Sequence, residues 1–417
     1  MSSSANNKVP KVPGSLRPGD HFGRFQLLER IGKGGMAEVF RAIAHGVQGF
    51  ERTFVVKRIR PDRSDSPKFV QMFCEEARIS ALLHHPNIVQ VYDFGHIDGA
   101  YFLVMEHLDG TDLSSVMRAV RARRGAVPPS VAVFIAREIA RALHHAHVLQ
   151  LPDGAPAGVV HRDVTPSNIM LLKTGGVKIL DFGIAKAAAL AGRPATPGKA
   201  PRLAGKLAYL SPEQVRGTPI DHRSDIFSLG VVLWEMVAGE RLFAGASESD
   251  TLHNLLLQPV AEPSRRREGI PAVLDAIIAR ALERDPARRY ETAEAFANDL
   301  DRFLVDAPTA DQAIPQLLHE LFVAAPPPKK DDAGEHPSHT YSANDSVADP
   351  GSTQGTGFSR VAYRTIPPPR APRVPMLTLI GIFCLVVAVV VMTGRVVIRH
   401  QSLGAQSSSA RSVSTSR

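Results

Sequence analysis

The spacing of apolar residues divides this chain into elements. Phe54-Val55-Val56, ending at Lys57, and Phe102-Leu103-Val104-Met105 are β-branched and aromatic runs that predict strands. Between them the interval lengthens. Phe69, Met72, Phe73, Ile79, Leu82 and Leu83 recur at helical spacing and predict a helix near residues 69–83 with one apolar stripe. Glu76 falls on that stripe. A carboxylate turned toward a core is costly unless paired, so the stripe calls for a cation, and Lys57 is the natural partner. The alternative leaves Glu76 at the surface and gives the role to Glu75. Short apolar runs at 169–172 and 177–180 predict a hairpin. The stretch from Ser224 through Val237 is apolar on most faces, as a buried central helix must be. Residues 184–210, rich in Ala, Gly, Pro and basic side chains, read as a loop.

The pattern is lost from residue 324 to 375, where Pro, Ser, Thr, Gly and Asp dominate and Pro326-Pro327-Pro328 and Pro367-Pro368-Pro369-Arg370 mark a disordered linker. Residues 376–394 then form an uncharged apolar run between Arg370 and Arg373 on one side and Arg395 and Arg399 on the other. At helical rise this run spans roughly 28 Å and predicts a transmembrane helix.

Composition narrows the class. The 417 residues, 44% hydrophobic and 22% charged, suffice for a sizeable core. The formal charge of +8 is scattered without a binding motif, which argues against nucleic acid. Two cysteines, Cys74 and Cys384, exclude a disulfide framework and fit a reducing compartment. The histidines lack metal-ligand spacing, and His84, His85, His144, His145 and His147 read as helix and loop residues. Residues 1–20 are polar without an apolar core, so no cleavable signal peptide is expected.

One stretch carries chemistry. His161-Arg162-Asp163-Val164-Thr165-Pro166-Ser167-Asn168 precedes the predicted hairpin and Asp181-Phe182-Gly183 follows it. Asp163 and Asn168 thus project from one loop, and the hairpin returns Asp181 to the same place. ATP brings clustered negative charge that divalent ions must neutralise before a hydroxyl approaches the γ-phosphorus in line. Asp163 is the candidate base, and Asn168 and Asp181 are the candidate Mg²⁺ ligands.

Over roughly residues 25–304, about two-thirds of its length, the chain resembles a protein kinase of the bacterial eukaryotic-like Ser/Thr class. The resemblance implies an α+β, two-lobed fold: a small β-rich lobe with one key helix at 25–106 and a larger, mainly helical lobe at 107–304. A helical extension at 305–323, the linker, the membrane helix and a polar tail at 395–417 are expected to follow. Ile31-Gly32-Lys33-Gly34-Gly35-Met36-Ala37-Glu38-Val39 resembles the glycine-rich loop, whose missing side chains let backbone amides close over phosphates, with Ala37 replacing the third glycine. The strand ending at Lys57 resembles the family's V-A-I-K, which implies that Lys57 meets the α and β phosphates. Val55, standing where alanine usually meets adenine, implies a tighter purine slot. In the family the pair with Glu76 aligns this lysine. Residues 102–110 resemble the hinge, with Met105 as gatekeeper and the backbone of Glu106 and Leu108 on adenine. Ser211-Pro212-Glu213 resembles the closure of the activation segment. Between Gly183 and Ser211 the only aliphatic hydroxyl is that of Thr196, the expected phosphoacceptor, with Arg162 receiving the phosphate. The alternative is an unmodified Thr196-Pro197 turn. Asp225 resembles the anchor of the catalytic loop, and Arg289 is expected to pair with Glu213 as scaffold.

Two further positions depart from the family. Thr165 stands where Ser/Thr kinases carry a lysine that steadies the γ-phosphate, and Lys206 stands where they carry a threonine. The exchange reads as reciprocal: Lys206 supplies the ammonium near Asp163 and Thr165 the hydroxyl. Pro166 retains the Ser/Thr-type loop. The resemblance therefore implies a non-specific serine/threonine protein kinase using ATP and Mg²⁺, with Mn²⁺ as a substitute, acting on protein substrates. Its expected place is the inner or plasma membrane, single-pass, with the kinase cytoplasmic because ATP is there. The linker is long enough for neighbouring kinases to meet as a dimer, and its phosphorylated residues would suit a phospho-reading partner. The rival reading is a membrane-tethered pseudokinase scaffold, supported by Thr165 and Lys206.

Overall fold

The computed structural model of the protein describes residues 16–35, 37–64, 66–123, 125–182, 204–305 and 312–324. Thr196, the linker beyond Ala324, the apolar run 376–394 and the tail lie outside the described residues. Among the described residues no helix is long and apolar enough to cross a membrane.

Six strands make the small lobe: β1 (His21–Phe22), β2 (Phe25–Lys33), β3 (Ala37–His45), β4 (Glu51–Ile59), β5 (Val91–Ile97) and β6 (Ala100–Glu106). They pair antiparallel in the order β1-β2-β3-β4-β6-β5. Strand alternation sends Val55 and Ile59 into the core beside the cleft and Phe54 and Val56 to the opposite face, where they meet Phe25, Phe40 and Phe102. A short helix, α1 (Pro61–Ser64), leads into α2 (Pro67–Leu82).

The large lobe begins with β7 (Gly110–Asp112), which pairs with β8 (Ile169–Leu172), itself paired with β9 (Val177–Ile179). Gly110 is required there, because a Cβ would strike the Leu171 carbonyl. Helices α3 (Leu113–Ala122) and α4 (Pro129–His147) lead to the loop of candidate chemistry. Beyond it come α5 (Ala204–Leu207), α6 (Pro212–Arg216), α7 (Arg223–Ala238), α8 (Glu248–Leu257), α9 (Ala272–Ala281), α10 (Ala293–Leu304) and α11 (Ala313–Phe322). Helix α7 is buried from Ser224 to Val237, which explains its near-continuous apolar sequence. Helix α11, the observed part of the expected extension, buries Ile314, Leu318 and Leu321.

The lobes are stitched by the turn after α2. Leu83 and Ile88 join the core of the large lobe, the Asn87 side chain donates to Val177 O at 2.9 Å, and Val89 N donates to Ile179 O at 3.0 Å.

Helix α2 corrects the expected stripe. It starts at Pro67, and its buried face is Met72, Phe73, Glu76, Ala77 and Ser80, with Phe69, Ile79 and Leu82 only half-buried. The inward face is less apolar than the sequence suggested because it borders a polar cleft. Glu76 is buried, whereas Glu75 is exposed and accepts from Gln71 Nε2 at 3.0 Å, so the alternative assignment to Glu75 falls.

Candidate active site

Lys57 projects from β4 between Val39 and Leu103, and its ammonium meets two carboxylates. Glu76 Oε1 of α2 lies 2.6 Å away and Asp181 Oδ1 2.9 Å away. Burial would lower the Lys57 pKa, but the charges of Asp181 and Glu76 outweigh it and hold the group above the ordinary lysine range. The group is therefore charged at neutral pH.

The loop from His161 to Asn168 is held by its backbone. Asp225 Oδ2 accepts from His161 N at 2.8 Å and Oδ1 from Arg162 N at 2.8 Å. His147, at the end of α4, donates from Nε2 to Asp225 Oδ2 at 2.8 Å. Burial pushes the Asp225 carboxyl toward neutrality, yet the hydrogen bond and charge of His147 with the surrounding donors keep it below the usual carboxylate range. Arg162 has φ 62° and Asp181 φ 37°, conformations that cost of order 1–3 kcal/mol each and persist only where the surroundings over-determine them. His161 Nδ1 accepts from Asp163 N, so its proton is on Nε2, which donates to Leu180 O at 2.9 Å. Its ring packs 4.7 Å from that of Phe182, tying the two candidate loops together.

Asp163 is the meeting point. Asn168 Nδ2 donates to its Oδ2 at 2.7 Å and to its backbone carbonyl at 2.8 Å. Lys206 Nζ, from α5, lies 3.2 Å from Asp163 Oδ2. The other half of the expected exchange differs. Thr165 is buried and its hydroxyl pairs with Ser167 Oγ at 3.0 Å, a local side-chain bond that engages the group expected beside Asp163.

Between the lobes lies a cleft that is open to solvent. Val39, Val55, Val89, Met105, Leu108 and Leu180 wall it, and Lys57, Glu106 and Asp181 are its charged residues. Glu106 N donates to Gln90 O at 2.9 Å, so the carbonyl is what this residue's backbone can offer a ligand. Its carboxylate takes Gln90 N at 2.7 Å and Lys178 Nζ at 2.6 Å. In the glycine-rich turn Ile31 is buried with Val55 and Met105, Gly32 and Lys33 end β2, and Gly34 N donates to Ala37 O at 2.8 Å. That amide of Gly34 is thus used inside the turn; Gly35 follows at the tip.

Farther off, Arg289 grips Glu213 with its two terminal guanidinium nitrogens, at 2.7 and 2.8 Å. The residues that sequence reading missed are His147, Lys178 and Gln214, whose Nε2 donates to Arg162 O at 3.1 Å.

Comparison with known proteins agrees with this geometry. Residues 25–300 match the protein kinase domain family. The chain is 41% identical over 294 residues to the tyrosine-protein kinase MasK of Myxococcus xanthus, covering 70% of this chain and 45% of that protein. It is 37% identical over 309 residues to the serine/threonine-protein kinase PknB of Mycolicibacterium smegmatis, covering 73% of this chain and 47% of that one. The chain thus spans about half the length of the curated relatives it matches. Among solved structures, a point variant of the PknI kinase domain of Mycobacterium tuberculosis superposes with a TM-score of 0.51 at 27% identity, covering 69% of this chain and 98% of that one. With the two-lobed fold, the cleft and these matches in agreement, the chain belongs to the protein kinase domain family.

Proposed function

We propose that this chain transfers the γ-phosphate of ATP to serine and threonine hydroxyls of proteins. The observation that carries the reading is convergence on one cleft of Lys57, Glu76 and Asp181 with Asp163, Asn168 and Lys206. Lys57, aligned by Glu76, binds the α and β phosphates. The apolar walls and the Glu106 and Leu108 backbone hold adenine, and the turn from Ile31 to Val39 covers the phosphates. Asp163 positions the acceptor hydroxyl and takes its proton. Asn168 keeps the Asp163 carboxylate in place through its amide nitrogen, leaving its oxygen for a cation.

The donor set fits Mg²⁺. Asn168 and Asp181 offer hard oxygen ligands, and among the described residues no group of three or more His, Cys, Asp or Glu forms a self-sufficient metal cage. Magnesium held by one or two protein oxygens and completed by phosphates is what such a set suits. Bound there, the ion neutralises charge on the phosphates.

Lys206 places a positive charge beside Asp163 where the family's usual lysine is absent, which supports turnover over a scaffold role. Thr196 is the phosphoacceptor that orders the activation segment. Among the described residues the buried Arg162 Nε has no hydrogen-bond partner, which supports Arg162 as the receiver of that phosphate. Residues 376–394 anchor the chain in the membrane with the kinase on the cytoplasmic side. Pro166 supports Ser/Thr acceptors, whereas the similarity to a protein named a tyrosine kinase favours tyrosine. Phosphoamino-acid analysis after transfer from labelled ATP to a mixed protein substrate separates them. Phosphoserine and phosphothreonine are expected; label on tyrosine alone would overturn the acceptor assignment.

A further inference from the structure

Gln214 stands one residue beyond Glu213, at the third position of α6. Its Oε1 accepts from Ser211 N at 2.8 Å while Ser211 Oγ accepts from Gln214 N at 3.4 Å, a reciprocal cap on the helix start. That cap fixes which way the amide points. The Nε2 end is turned outward and donates to Arg162 O at 3.1 Å. Glutamate would complete the same cap equally well, so the cap does not call for the amide nitrogen.

The acceptor is informative. Arg162 is a non-glycine residue at φ 62°, with its N–H held by Asp225 Oδ1 at 2.8 Å. Its carbonyl belongs to the peptide that joins it to Asp163. Asp225 therefore fixes one side of Arg162 and Gln214 the other, so the plane from which Asp163 projects is set by both. Lys206, on the same stretch of chain, reaches the Asp163 carboxylate itself.

We propose that Gln214 is a positioning residue for phosphoryl transfer: its side-chain amide orients the Arg162–Asp163 peptide and so aims Asp163 at the acceptor hydroxyl. The end of the activation segment thereby sets the base from the backbone side, so a segment undocked at Ser211–Gln214 misaims it. The proposal rests on the reading of Asp163 as the base.

Gln214→Glu keeps the cap and replaces the donor with an oxygen facing a carbonyl; Gln214→Met removes the donor without adding charge. In the full chain both variants are expected to lower kcat about tenfold with KM for ATP unchanged, and Gln214→Glu to keep the wild-type melting temperature. Unchanged kcat in either variant, or a fall matched by lost ATP affinity, overturns the proposal. Hydrogen exchange tests it independently of turnover. The Arg162 and Asp163 amides are expected to exchange at least tenfold faster in Gln214→Glu while those of α7 do not change; equal exchange overturns the proposal even if the wild type transfers no phosphate, an outcome that would instead overturn the kinase reading.

Discussion

At the scale of single residues, charge is set by pairs. Lys57 is buried, and only Glu76 and Asp181 make that tolerable, so removing one carboxylate leaves the ammonium under-compensated and misaligned. Glu76→Gln is expected to lower kcat roughly ten- to a hundredfold, read by steady-state kinetics, with the fold retained because Asp181 still meets the lysine. The Lys57 pKa is raised above its ordinary 10.5, so its charge is fully present below that value and is lost only as pH rises beyond it. Any alkaline fall in the rate below about pH 10 therefore belongs to another group. Lys206 stands beside Asp163 without being buried with it, so Lys206→Ala is expected to reduce kcat about tenfold and leave ATP affinity intact. Turnover equal to wild type would make the exchange with Thr165 a coincidence. The pairs of opposite charge were legible because a carboxylate on an apolar face demands a cation. The Thr165 hydroxyl was not, since a bond to Ser167 two residues away leaves no periodic trace.

At the scale of elements, the site hangs on loops tied to buried helices. Asp225 near the start of α7 and Glu213 in α6 carry this load, the second through its two-pronged pair with Arg289. Arg289→Met leaves a buried carboxylate unpaired and is expected to cost about 3–5 kcal/mol in chemical unfolding. Burial raises the Glu213 pKa, but hydrogen bonds from Arg289 and Ser224 outweigh it and hold the group below its ordinary 4.5. A depressed folded pKa means that the contribution to stability is whole above 4.5 and is lost as pH falls from there through the folded value. Wild-type stability is therefore expected to drop with acid below about pH 4.5, and the Arg289→Met protein to lose less over the same range. Hairpin β8–β9, helix α7 and the strand of Lys57 were visible in the sequence because each is a distinct apolar run. The inward face of α2 was drawn too apolar because Ala77 and Ser80 are buried there while Phe69, Ile79 and Leu82 are only half-buried. His147 and Gln214 escaped because their work is on backbone or on a carboxylate far along the chain, which residue spacing does not encode.

At the scale of the whole molecule, two lobes share one cleft because the turn after α2 is bonded into β9 and packs Ile88 into the lower core. The kinase match ends at residue 300, yet α11 is packed onto the large lobe, with Arg123 donating to Glu320 O at 3.2 Å and Leu321 O at 3.3 Å. We propose that the apolar run at 376–394 anchors the chain in a membrane, and fractionation tests this. In fractionation, the full chain is expected in the membrane pellet after a high-salt wash, and a chain ending at Ala324 in the supernatant. Recovery of both in the supernatant would remove the anchor from the account. The most direct test of the central claim is γ-phosphate transfer from labelled ATP with Mg²⁺, compared between wild type and Asp163→Asn, with nucleotide binding measured alongside. Transfer by the wild type, lost by at least a thousandfold in Asp163→Asn while ATP affinity is kept, is the predicted result. Tight ATP binding without transfer by the wild type, or equal transfer by both proteins, would contradict it.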